Sequence, residues 1–175
     1  MKRTLVALMQ DHPGVLNRVV SLIRRRNFNI DSLTVGHSET PGISRLTLVV
    51  DAAGVEQIIK QLYRLIEVLK VSDVTDDAIV EREIALIKVH APRNTRTELI
   101  ALVGIYNARI VDVGASTMIL EITAFPSKVE QFVEIMRAFG IKELLRTGRI
   151  AMVRGAQMQR NDAETEPHRE LAVAG

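Results

Sequence analysis

The sequence predicts an α+β protein made of two successive units of order β-α-β-β-α-β, each an antiparallel sheet backed by helices. Three observations predict it. Short apolar runs of strand length alternate with apolar stripes at helical spacing. Turn signals such as Thr40-Pro41-Gly42 separate consecutive strands closely enough to make them antiparallel neighbours. The same order of elements occurs twice, on either side of a short linker at Asp76-Asp77-Ala78.

Thr4 to Met9 is apolar on both faces, as expected of a central strand covered on at least one side. From Gly14 to Arg26, Val15, Leu16, Val19, Val20 and Ile23 recur at helical spacing. Pro13 suits the first helical turn, and Asp11 or His12 is positioned to cap it. Phe28 to Gly36 and Arg45 to Asp51 read as strands. Val55, Ile58, Ile59, Leu62, Leu65, Ile66 and Leu69 form one helical stripe, and Lys70 to Thr75 closes the unit as a fourth strand. In the second half, Glu83 to His90 is a strand and Thr97 to Tyr106 a helix with Ile100, Val103 and Tyr106 inward. Arg109 to Gly114 and Thr117 to Ala124 form a hairpin around Ala115-Ser116. Ser127 to Phe139 is a helix, and Ile141 to Val153 mixes turn and strand around Gly148. This split order is the ferredoxin-like arrangement. The expected domains are residues 2–76 and 80–154, with 156–175 a polar, aperiodic tail read as disordered. Units of this size bury little core alone, so close packing between them, or a dimer, is expected.

Composition narrows the function. The chain has 175 residues and no cysteine, which excludes disulfides, thiolate metal sites and cysteine nucleophiles. No apolar run is long enough to span a bilayer, and Met1-Lys2-Arg3 leads into a short strand with no cleavage site, not a signal sequence. The sequence therefore predicts a cytoplasmic protein with no membrane role. Lys and Arg total 23 against 21 acidic residues, a net charge of +2. The basic runs at Arg24-Arg25-Arg26 and Arg146 to Arg154 are not interleaved with aromatics. The central strands carry none either, so base stacking of the kind used by RNA-binding modules of this topology has no platform, and no nucleic-acid partner is expected. The histidines His12, His37, His90 and His168 lack metal-ligand spacing, and no phosphate loop or nucleophile elbow occurs. Autonomous catalysis is not expected, and no metal or cofactor is assigned to this chain.

A ligand-sensing module remains, and Gln10-Asp11-His12-Pro13-Gly14 is its candidate site. A turn at a helix start presents backbone N–H groups to a carboxylate, helped by the positive end of the helix. Asp11, or the side-chain oxygen of Asn29, can meet an ammonium group. Gly14 allows close approach of the backbone. On spacing alone, Pro13-Gly14 serves equally well as a plain type II turn.

The run Leu8 to Arg18 resembles the ligand loop of ACT domains. Arg25-Arg26-Asn27-Phe28-Asn29-Ile30-Asp31-Ser32-Leu33-Thr34-Val35 resembles a block of the small regulatory subunit of acetolactate synthase. So do Ile43 to Leu48 and Gln57 to Val74, and Val80 to Val89 is similar to that family's VERELALIKV almost letter for letter. The resemblance covers about Lys2 to Gly155. It implies a homodimer formed through the ACT domains, which binds valine at that interface. It also implies a separate catalytic large subunit holding thiamine diphosphate, magnesium and FAD, whose activity the small subunit raises and places under valine feedback. By position, the effector residues would be Asp11, Gly14, Val15 and Leu16 of one chain, with Asn29, Ile30 and Val35 of the other and His12 in the same turn. The chain departs from the family pattern at Asp11, where Asn is common, and at Asn27, where Gly is common. Asn27 suits a left-handed helix terminus. A free-standing ACT regulator of some other protein is the alternative.

The physics suits a dimer site. In the usual order for this fold the second strand is a sheet edge, and an edge carrying Ile30, Leu33 and Val35 is a pairing hazard unless another chain covers it. Valine has eight non-hydrogen atoms, so at roughly 1 kcal/mol per atom its ceiling is about micromolar affinity. The corresponding loop of the second unit, Ala91 to Arg96, is basic and lacks the Pro-Gly turn, which points to a structural or docking role.

Overall fold

The computed structural model describes residues 2–51 and 53–155; the tail read as disordered lies outside them. The first half contains β1 (Lys2–Gln10), α1 (Val15–Arg25), β2 (Ile30–His37), β3 (Ile43–Asp51), α2 (Val55–Leu62) and β4 (Val68–Asp73). Its four strands pair antiparallel in the order β2-β3-β1-β4. The second half repeats this with β5 (Ile79–His90), α3 (Arg96–Tyr106), β6 (Arg109–Val113), β7 (Thr117–Ala124), α4 (Pro126–Arg137) and β8 (Ile141–Arg146), in the order β6-β7-β5-β8. A further strand, β9 (Ile150–Val153), pairs with the first residues of β5. Among the described residues, no helix is long and apolar enough to cross a membrane.

Alternation along β1 explains how each sheet is covered. Leu5, Ala7 and Met9 point to the helices and bury against Val15, Val19 and Ile23 of α1 and Ile58 and Leu62 of α2. Each large aliphatic side chain buried this way contributes about 1.5–3 kcal/mol. Val6 points to the other face and forms a small cluster with Val74, Ala151, Ile79 and Val153. The β5–β9 ribbon thus lies over the outer face of the first sheet, which has helices on one side and the second unit on the other. Arg45 on β3 donates from Nη2 to the Ala151 carbonyl at 3.0 Å across this layer. Burial pushes its guanidinium pKa down, yet an arginine so placed stays charged. In the second unit, Ile87, Val89, Leu120 and Ile122 pack on Leu99 and Val103 of α3 and on Phe132 and Met136 of α4.

Three expectations are corrected. The helix expected to reach Leu69 ends at Leu62. Tyr63 turns the chain back: its hydroxyl donates to the Val71 carbonyl at 2.9 Å and accepts from the Val71 N–H at 3.0 Å. Leu65 and Leu69 continue the helical spacing, but they belong to a turn and to β4. Tyr63→Phe removes both bonds and should cost about 1–2 kcal/mol in a denaturant melt. Second, β5 begins at Ile79 instead of Glu83, because Ile79–Arg82 leave the second sheet to pair with β9. Third, Ile100 is exposed and Leu99 takes the inward position on α3.

Candidate effector site

The turn from Asp11 to Gly14 is held from two sides. The Gln10 N–H donates to the Glu67 carbonyl at 2.9 Å and the Asp11 N–H to the Gly42 carbonyl at 2.8 Å, so the start of β4 and the β2–β3 hairpin both brace it. Gly14 is the helix N-cap, with φ 92° and ψ −17°. Those angles belong to the third residue of a type II turn, and the Val15 N–H reaches the His12 carbonyl at 3.4 Å. The plain-turn geometry and the open helix start therefore coexist. Arg18 N–H bonds to the Gly14 carbonyl at 3.0 Å, which leaves the N–H groups of Leu16 and Asn17 facing out of the helix start. A Cβ built on Gly14 would meet nothing within 4 Å, so the space in front of the turn is open.

Neither expected side-chain cap forms. Asp11 turns its carboxylate to His37 at the end of β2, with Oδ2 3.0 Å from Nδ1. His12 sets Nε2 3.2 Å from Gln10 Oε1. The left-handed bend at Gly14 carries both side chains away from the N–H groups a cap would have to reach. Val15 is buried in the first core, whereas Leu16 is 38% exposed.

The remaining candidate residues lie on or beside β2, which is an edge of the sheet. Asn29 is exposed just before the strand, Ile30 opens it opposite Val50, and Val35, opposite Leu46, is 37% exposed. Because His37 sits beside the Asp11 turn, Asn29 and Ile30 lie at the far end of the strand, roughly 23 Å away at about 3.3 Å per residue. One chain therefore holds the candidate residues as two separate groups. Asn27 has φ 59°, the left-handed terminus expected of it.

Sequence reasoning missed Glu67. It is 4% exposed under the turn and pairs with Arg18 of α1, fixing the helix start against β4. No local signal marks a pair so far apart in the chain. In the second unit the corresponding loop is closed from within. Arg96 donates from Nε to the Ala91 carbonyl at 3.1 Å, and from Nη2 to those of Gly114 at 2.6 Å and Ala115 at 2.8 Å. Thr95, the N-cap there, is right-handed, so this helix start has no glycine bend like the one at Gly14. Among the described residues, no cluster of His, Asp or Glu could hold a metal ion.

Two ferredoxin-like units, the first with a left-handed glycine turn and an open edge strand, define an ACT-type fold. Residues 5–70 match the model of the AHAS small subunit-like ACT domain, and residues 82–155 match that of the small subunit of acetolactate synthase. The chain is 54% identical over 157 residues to a probable acetolactate synthase small subunit of Archaeoglobus fulgidus, covering 89% of this chain and 98% of that one. Identity to the acetolactate synthase small subunit of Bacillus subtilis is 43% over 168 residues, 94% of this chain and 98% of the other. The crystal structure of the Thermotoga maritima small subunit superposes with a TM-score of 0.81 at 42% identity, covering 89% of this chain and 98% of that one. The chain belongs to the acetolactate synthase small-subunit family.

Proposed function

We propose that this chain is the non-catalytic regulatory subunit of a cytoplasmic acetolactate synthase, raising the activity of a catalytic large subunit and imposing feedback inhibition by valine on branched-chain amino acid synthesis. Thiamine diphosphate, magnesium and FAD belong to the large subunit in this reading. Family membership supports the partnership. The separation of Asn29 from the Asp11–Leu16 turn along an open edge strand is the observation that carries the effector site.

A two-fold axis near Leu33 or Thr34 pairs β2 antiparallel with β2 of a second copy and removes the exposed edge. Antiparallel pairing lays the Asn29 end of one strand across from the His37 end of the other, where the Asp11 turn stands. Two equivalent sites result. In each, the α1 start meets the valine carboxylate through free N–H groups and the helix dipole. The Asn29 side-chain oxygen and the Asp11 carboxylate meet the ammonium group. Leu16, Ile30 and Val35, all partly exposed in a single chain, enclose the isopropyl group.

Mixing the chain with its large subunit and assaying acetolactate formation tests this reading. Addition of the chain should raise the rate severalfold, and valine near micromolar to millimolar levels should then lower it. A large subunit that responds neither to the chain nor to valine in its presence would overturn the proposal.

A further inference from the structure

The outer-face side chains of β2 grip the turn between β8 and β9. Thr34 Oγ1 donates to the Thr147 carbonyl at 3.0 Å, and the Arg149 N–H donates to Ser32 Oγ at 3.0 Å. Between them Gly148 has φ +83°, and a Cβ there would fall 2.5 Å from Ser32 Oγ and 2.9 Å from Thr34 Oγ1. The turn's backbone rests directly on the edge strand at a spacing that suits only glycine.

The same turn is fixed to the second unit. The Thr147 N–H donates to the Ile84 carbonyl at 3.1 Å, and the Ile84 N–H to Thr147 Oγ1 at 3.2 Å. The preceding residue, Arg146, lies 2.6 Å from both the buried Glu83 on β5 and Glu130 on α4. These hydrogen bonds, that to Glu83 first, hold the Arg146 pKa above its usual value. Arg149 pairs with Glu81 at 3.1 Å and reaches Thr4 Oγ1 of β1 at 3.3 Å. Four consecutive residues thus join β2 to β5 and α4. A crevice of about 610 Å³ runs beside them, lined by Asp31, Ser32, Glu83, Glu130, Arg146 and Gly148 among others.

We propose that the Thr147–Arg149 turn is the relay through which occupancy of the effector site on β2 reaches the second unit. The inference rests on the effector reading above. A ligand bridging two copies at the ends of β2 sets the position and twist of that strand. Close packing and paired hydrogen bonds on both sides of the turn transmit a shift instead of absorbing it. Arg146 passes it to Glu130 and α4. Ser32, Thr34 and Gly148 are positioning residues, and none of them touches the ligand.

The test uses the full chain with its large subunit and reads two quantities: valine affinity by calorimetry and valine inhibition of acetolactate formation. Thr34→Val keeps the shape and removes the donor to Thr147. Gly148→Ala forces the turn off β2, and a thermal melt reports whether each variant is folded. Both variants should bind valine within about threefold of the parent, while inhibition weakens by roughly fivefold or more. Variants that bind and inhibit as the parent does would overturn the relay and leave the effector site standing. Loss of binding together with inhibition would also overturn it, by placing Thr34 and Gly148 in the site itself. A parent chain that binds no valine overturns the effector reading and the relay together.

Discussion

Gly14→Asp should abolish valine binding, a loss of at least about 100-fold, or roughly 2.7 kcal/mol, while the fold persists. Two effects add. Gly14 has φ 92°, and an L-residue held in that region costs about 1–2 kcal/mol. The strain falls on the turn that presents the N–H groups of Leu16 and Asn17, so relief of the strain misplaces them. The new carboxylate then competes with the ligand carboxylate for the same helix start, at about 1 kcal/mol in water and more where a dimer excludes water. Retention of the fold follows from the open space in front of the turn, where an added Cβ meets nothing within 4 Å. Gly14→Ala brings the strain without the charge and should lose less affinity. Calorimetry and a thermal melt on both variants make the check. Undiminished binding in Gly14→Asp would remove this turn from the site.

The turn was legible in the sequence because its signals are local. Pro13-Gly14 ahead of an amphipathic run marks a bend into a helix, and Asn27 marks the end of that helix. The edge position of β2 followed from the order of the elements. Asp11 was misread as a possible cap because its partner, His37, is brought beside it only by the pairing of β1 and β2 with β3, in which Met9 and His37 both stand opposite Ser44. Glu67 and Arg18 were invisible for the same reason. The end of α2 was lost because Leu65 and Leu69 extend a 3.6-residue spacing by accident of a turn. What stops the helix is Tyr63 and its two bonds to Val71. The bend of β5 between two partners has no sequence signature at all: Glu83 to His90 reads as the strand, and Ile79 to Arg82 extend it only because β9 arrives to pair with them. It is nevertheless the feature that lays the second unit across the first sheet and brings Gly148 onto β2.

Asn29→His should also abolish binding, and for a reason that makes the two variants more informative together than apart. Asn29 is exposed, so its replacement should change stability by no more than about 0.5 kcal/mol. In a two-fold dimer each site takes its turn from one chain and its Asn29 from the other. A Gly14→Asp chain keeps a sound Asn29, and an Asn29→His chain keeps a sound turn. When the two inactive variants are co-expressed, each mixed dimer contains one damaged site and one complete site. Random pairing makes about half of the dimers mixed, so calorimetry should recover about one valine site per four chains. The affinity of the recovered site should match that of the parent, because every contact in it is native. Sites lying within single chains would stay damaged in every pairing, and mixing would recover nothing. The far ends of β2 can belong to one ligand only across an axis, and this recovery is the direct reading of that axis.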